Sequence, residues 1–146
     1  MSKVEDFLTK AEEELIVSAI KDAEKETSGE IRVHIENTNT KHSLERAEEI
    51  FHLLGMDNTR DKNGVLFYVD VANKQFAVIG DSGIDEVVPD QFWESVKNRV
   101  TSEFAKGNYV DGLVLGIIEA GQKLQKFFPY HHLTDTNELS NEISKG

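Results

Sequence analysis

One run limits what this chain can fold into more than any other. Gly64-Val65-Leu66-Phe67-Tyr68-Val69-Asp70-Val71 is almost continuously apolar and rich in β-branched and aromatic residues. A strand with one wet face alternates polar and apolar residues. A strand without alternation is covered on both faces. The run therefore predicts a central strand with helices packed on both sides of its sheet, which is an α/β, three-layer αβα sandwich.

The flanking segments supply the other parts. Thr9-Lys10-Ala11-Glu12 has the form of a capping box, and Ala11, Leu15, Ile16, Ala19, Ile20 and Ala23 recur at helical spacing behind it. A first helix is predicted over 10–26, with Phe7 and Leu8 packing just ahead of its cap. Glu30–Glu36 alternates and predicts a half-buried strand, with His34 on its exposed face. Ser43 opens a second helix that runs to about Leu54. Gln75–Gly80 follows the central run after a short turn and predicts a hairpin with it. A third helix opens near Pro89 and Asp90, with Phe92, Trp93, Val96, Val100 and Phe104 on one side. A fourth runs from Tyr109 to about Phe127. It carries Gly112, Gly116 and Gly121, each costing about 1 kcal/mol relative to Ala in a helix interior. Glycines so placed predict very close packing on another element. Residues 1–130 read as a single domain, and 131–146, polar with few apolar anchors, as a disordered tail.

Charge and composition narrow the function. The net charge of −11 excludes nucleic acid as a natural partner, because phosphate binding needs concentrated Lys and Arg. The absence of Cys excludes disulfides, thiolate metal sites and Cys nucleophiles. No run of about 18 apolar residues and no apolar segment near the start occur, so the expectation is a cytoplasmic monomer without membrane insertion. P-loop, G-x-G-x-x-G and H-E-x-x-H patterns are absent. No catalytic nucleophile stands out. His131 and His132 are adjacent and cannot easily share one metal.

Strand direction brings carboxylates together. Helix 43–54 connects the strands at 30–36 and 64–71, so the two should run parallel, and the hairpin brings the third strand back. Glu30, Asp61, Asn63, Asp81 and Asp85 then lie at one end of the sheet. Asp111, in the first turn of the last helix, approaches the same edge. Clustered carboxylates repel one another unless their pKa values rise or a cation sits among them. Oxygen-only ligands favour Ca²⁺, Mg²⁺ or Mn²⁺ over zinc. Asp81, Asp85, Glu30 and Asp111 are thus the candidate metal ligands. The competing view makes Asp81 and Asp85 turn and cap residues and Glu30 a solvated strand-start residue.

Five segments in order carry a family resemblance. They are Glu24-x-x-Thr27-Ser28-Gly29-Glu30-Ile31-Arg32-Val33, Asn63-Gly64-Val65-Leu66, Ile79-Gly80-Asp81-Ser82-Gly83-Ile84, Phe104-x-x-Gly107-x-Tyr109-x-x-Gly112-Leu113 and Leu124-x-x-Phe127-Phe128-Pro129. Together they resemble the TPM domain family over about residues 8–129. The resemblance implies a Rossmann-like αβα sandwich, a divalent-cation site, often for Ca²⁺, and the acid phosphatase activity of some members. Asp81 replaces the first Gly of the Gly-x-Gly-x-Glu turn found in membrane-anchored members, and Asp85 replaces its Glu. Asn108 stands where many members have Asp. Two functions follow as expectations. One is metal-assisted hydrolysis of a small phosphomonoester. The other is a non-catalytic calcium-binding module that serves structure or a protein partner.

Overall fold

The computed structural model describes residues 3–130 and 138–146. A short helix, α1 (Lys3–Phe7), precedes α2 (Lys10–Ala23). The capping box forms as the sequence predicts: Glu12 N donates to Thr9 Oγ1 at 3.1 Å, and Thr9 N donates to Glu12 Oε1 at 2.9 Å. Then come β1 (Glu30–Glu36), α3 (Ser43–Leu53), β2 (Gly64–Asp70) and β3 (Gln75–Gly80). A single turn, α4 (Ser82–Asp85), leads to α5 (Glu94–Ala105), α6 (Tyr109–Gln125) and a two-residue strand, β4 (Ser144–Lys145). Helix α5 starts later than Pro89 and Asp90 suggest. Gln91 takes a φ of +62°, which lies outside the helical region and delays the start.

The sheet order is β3-β2-β1-β4. β1 runs parallel to β2, with Glu30 opposite Gly64 and Glu36 opposite Asp70, and β3 returns antiparallel. Every residue of β2 is buried. On one face Val65, Phe67 and Val69 join the core with α2, α5 and α6. On the other, Leu66 and Tyr68 pack with Ala47, Ile50 and Phe51 of α3. The sandwich is therefore asymmetric, with α2, α5 and α6, joined by the short α1 and α4, on one side and α3 on the other. Burying each such large side chain contributes about 1.5–3 kcal/mol.

The glycines of α6 act as the sequence predicts. A Cβ at Gly116 would sit 2.5 Å from Val100 Cγ2, and one at Gly121 2.8 Å from the Ala23 Cβ. These contacts let α6 lie directly against α5 and α2.

Two expectations need correction. Residues 131–137 of the expected tail, with the His131-His132 pair, lie outside the described residues, but 138–146 are docked. Leu139 is buried in the α3-side core. Ser144 and Lys145 extend the sheet beside His34 and Ile35, and Gly146 N donates to Ile35 O at 2.9 Å. His34 is accordingly 4% exposed rather than solvated. β4 covers the edge of β1 beside His34, and Arg32 alone in that strand is partly exposed.

Candidate metal centre

Asp81 follows the last residue of β3, and its N–H donates to Gly64 O at 2.9 Å. Gly64 stands opposite Glu30. The backbones of Glu30, Gly64 and Asp81 thus form one row across the end of the sheet, as strand direction requires. The side chains then diverge.

Asp81 caps α4. Its Oδ1 accepts from Ser82 N at 2.7 Å. Its other oxygen, Oδ2, is buried and has no hydrogen-bond partner among the described residues. Buried polar atoms are nearly always paired, with protein, ordered water or an ion, so this carboxylate oxygen is open to such a partner. Asp85, four residues on, stands one turn away on the same short helix. Its carboxyl pKa is raised, first by burial and then by the charge of Asp81. The turn is held tightly by its neighbours. A Cβ at Gly83 would lie 2.3 Å from the Asp61 carbonyl oxygen and 2.6 Å from that of Lys62. Only glycine lets the 61–62 backbone approach this closely.

Asp81, Ser82 and Asp85 line a cavity of about 300 Å³, with Glu48, Phe51 and His52 of α3 as part of its wall. Sequence reasoning did not single out Glu48 or His52 for this site. The available signal was their i, i+4 spacing, which places both on one face of α3. His52 Nδ1 lies 3.0 Å from Asp57 Oδ2.

The other two candidates serve elsewhere. Glu30 is 4% exposed, and its Oε1 accepts the backbone N–H groups of Glu138 and Leu139, the latter at 2.8 Å. It anchors the C-terminal segment. Asp111 is exposed in the first turn of α6, where a carboxylate complements the helix dipole. No three His, Asp or Glu side chains among the described residues form a group able to hold a metal ion. Asp81 and Asp85 are neighbours on one short turn, and the structure does not gather the four candidates into one cluster.

Near Glu30, Glu24 Oε2 accepts from Ile31 N at 3.1 Å. Burial, aided by the charge of Glu30, pushes the Glu24 carboxyl up to about 7. A second polar network lies at the opposite end of the sheet. Glu36, 2% exposed, accepts from Arg46 Nε at 2.7 Å, Arg46 Nη2 at 3.1 Å and Tyr68 Oη at 2.5 Å. Its Oε1 also lies 3.0 Å from His34 Nε2. Burial raises the Glu36 pKa, but these hydrogen bonds outweigh it and hold the carboxyl at about 2. Burial lowers the pKa of His34. Beside them, Asp70 accepts the N–H groups of Thr38, Asn39 and Thr40, which pins the loop after β1.

The comparisons agree with this architecture. The chain is 53% identical to the BA42 protein of the psychrophilic bacterium Bizionia argentinensis, with both chains fully covered and a TM-score of 0.91. The N-terminal domain of a P. gingivalis protein shares the fold at 21% identity, with 86% of this chain and 83% of that one covered and a TM-score of 0.68. The N-terminal domain of the cg2496 protein of Corynebacterium glutamicum does so at 11% identity, 95% and 80% coverage and a TM-score of 0.60. No curated protein matches the chain significantly. No helix among the described residues is long and apolar enough to cross a membrane. The TPM domain profile matches residues 1–123, and the chain belongs to the TPM domain family.

Proposed function

We propose that this chain is a divalent-cation-binding TPM domain whose cation, Ca²⁺ by ligand chemistry, is held by Asp81 and Asp85. The observation that carries this is the buried, unpartnered Asp81 Oδ2 beside a carboxyl whose ionisation is opposed by burial and by Asp81. A cation supplies the missing partner of Oδ2 and removes the repulsion between the two carboxylates. Two protein carboxylates leave the remaining positions to carbonyl oxygens and water, a combination Ca²⁺ accepts and structural zinc does not.

A second function, hydrolysis of small phosphomonoesters, rests on the family resemblance and on His52 sharing the cavity with the two aspartates. A divalent cation bound there would neutralise phosphate charge and acidify a coordinated water. His52 would then serve as the group that moves a proton. Ser82 is the one hydroxyl side chain among the described residues lining the cavity, and the unpartnered Asp81 Oδ2 favours the cation-binding role over catalysis.

Calcium titration by calorimetry and aryl-phosphate hydrolysis, each on the wild type and Asp81→Ala, test both functions. Loss of affinity in the variant supports the site. Loss of hydrolysis with it assigns catalysis to the same site, and hydrolysis that survives in the variant excludes that assignment. A wild type that binds no divalent cation overturns both.

A further inference from the structure

The two edges of the sheet are treated differently. On one side β1 is covered by the chain's own β4. On the other, β3 ends the sheet, and no strand among the described residues pairs with its outer edge. The Asp81 N–H to Gly64 O bond fixes the ladder register. Asp81 and Gly64 form a hydrogen-bonded pair, so Ile79, Ala77 and Gln75 do as well. The N–H and C=O groups of Phe76, Val78 and Gly80 therefore point away from β2. The side chains of Phe76 and Val78 are buried in the core, but the strand's outer edge is unpaired, and an unpaired edge is usually blunted by Lys, Pro or a bulge. Gln75-Phe76-Ala77-Val78-Ile79-Gly80 contains no Lys or Pro, and its pairing with β2 is continuous.

A groove runs along this edge. Two cavities of about 300 and 240 Å³ meet at Val78 and Trp93. Leu44, 55% exposed, lines the α3 side. Trp93 lines the α5 side, and its buried Nε1 has no hydrogen-bond partner among the described residues. The rim is acidic overall. Glu48 stands on α3, Glu94 on α5, and Asp81 and Asp85 at the end, against Lys97 and His52.

We infer that β3 is a docking edge for an extended, Lys- or Arg-bearing segment of another polypeptide, which adds as a further strand between α3 and α5. Main-chain bonds to Phe76, Val78 and Gly80 give affinity, and the charges on both rims select a basic segment. Charge also argues against a second copy of this chain, because self-pairing would bring two acidic rims together in molecules of net charge −11 each. The inference does not depend on a cation at Asp81 and Asp85.

The test uses the full chain in EDTA with a capped peptide of three valines flanked by lysine pairs. Its counterpart has glutamate in place of lysine. Amide shifts and hydrogen exchange follow both titrations. The basic peptide should bind, with slowed exchange at Phe76, Val78 and Gly80. Glu48→Lys combined with Glu94→Lys, both exposed, should weaken it at least about twofold. Val78→Pro removes an outward N–H without breaking a bond to β2 and should abolish it, provided the circular dichroism spectrum is retained. If that variant does not fold, the charge reversal decides. The inference is overturned by equal binding of the acidic peptide, by shifts confined to other surfaces, by no binding at millimolar peptide, or by protection of these amides through dimerisation of the chain alone. Because calcium is absent throughout, failure here leaves the cation site untouched, and failure of the cation site leaves this edge untouched.

Discussion

Three carboxylates show how position sets a residue's contribution. Glu36 has a folded pKa of about 2, below its ordinary 4.5. The unfolded chain therefore binds more protons between those values. The stabilisation from Glu36 is present above pH 4.5 and is lost as pH falls toward 2. Glu36→Gln weakens the charged hydrogen bonds to Arg46, which keeps Glu49, and should cost about 1.5–3 kcal/mol in a denaturant melt at pH 7. Glu24 works in the opposite direction. Its folded pKa of about 7 lies above 4.5, so its burial is tolerated at acid pH and opposes folding increasingly as pH rises through 7. Glu24→Gln should melt at a higher temperature than the wild type at pH 8, and the gain should disappear at pH 4. Asp85 is raised by burial and by Asp81, so protons compete with a cation there. As pH is lowered, calcium affinity measured by titration should begin to fall at a higher pH than ordinary aspartates would give. The sequence made Asp81 and Asp85 legible through their spacing and the strand end before them. It did not reveal Glu36 as the centre of a network, because Arg46 and Tyr68 reach it only after the strand and helix have packed.

At the scale of elements, the C-terminal segment most changes the picture. It holds few apolar residues and reads as disordered in isolation. It docks because partners supplied by the rest of the fold are already in place. These are the carboxylate of Glu30, the open edge of β1 and the hollow that receives Leu139. None of these is written in residues 138–146. The same contacts explain why His34 is buried and why Glu30 is an anchor. Glu30→Gln weakens a charge-assisted pair of amide bonds and should destabilise the fold by about 1.5–3 kcal/mol. It should leave calcium affinity unchanged in calorimetry, whereas Asp81→Asn should reduce affinity with a smaller loss of stability. The α6 glycines were legible, since several in one helix have few explanations besides close packing. Gly83 is the sharper case. Gly83→Ala forces a methyl group into the 61–62 backbone, and overpacking of this kind costs about 1–3 kcal/mol.

For the whole molecule, the doubly buried β2 run was enough to predict helices on both faces, and the βαβ connection was enough to predict the parallel pair. These follow from patterns within one segment or between neighbouring ones. The convergence of backbones at one sheet end was equally legible. Which side chains meet there was not, because Glu30 is directed by residues 138–139, distant in sequence, and Asp111 stays exposed in the first turn of α6. We propose that Asp81 and Asp85 alone among the acidic candidates form the cation centre. A calcium titration followed by backbone amide shifts decides this, using the wild type, Asp81→Asn and Asp111→Asn. Saturable shifts should centre on residues 81–86 and the adjoining 61–62 backbone, be lost in Asp81→Asn and be retained in Asp111→Asn. Shifts centred on Glu30 and residues 138–139, or unchanged in Asp81→Asn, would contradict it.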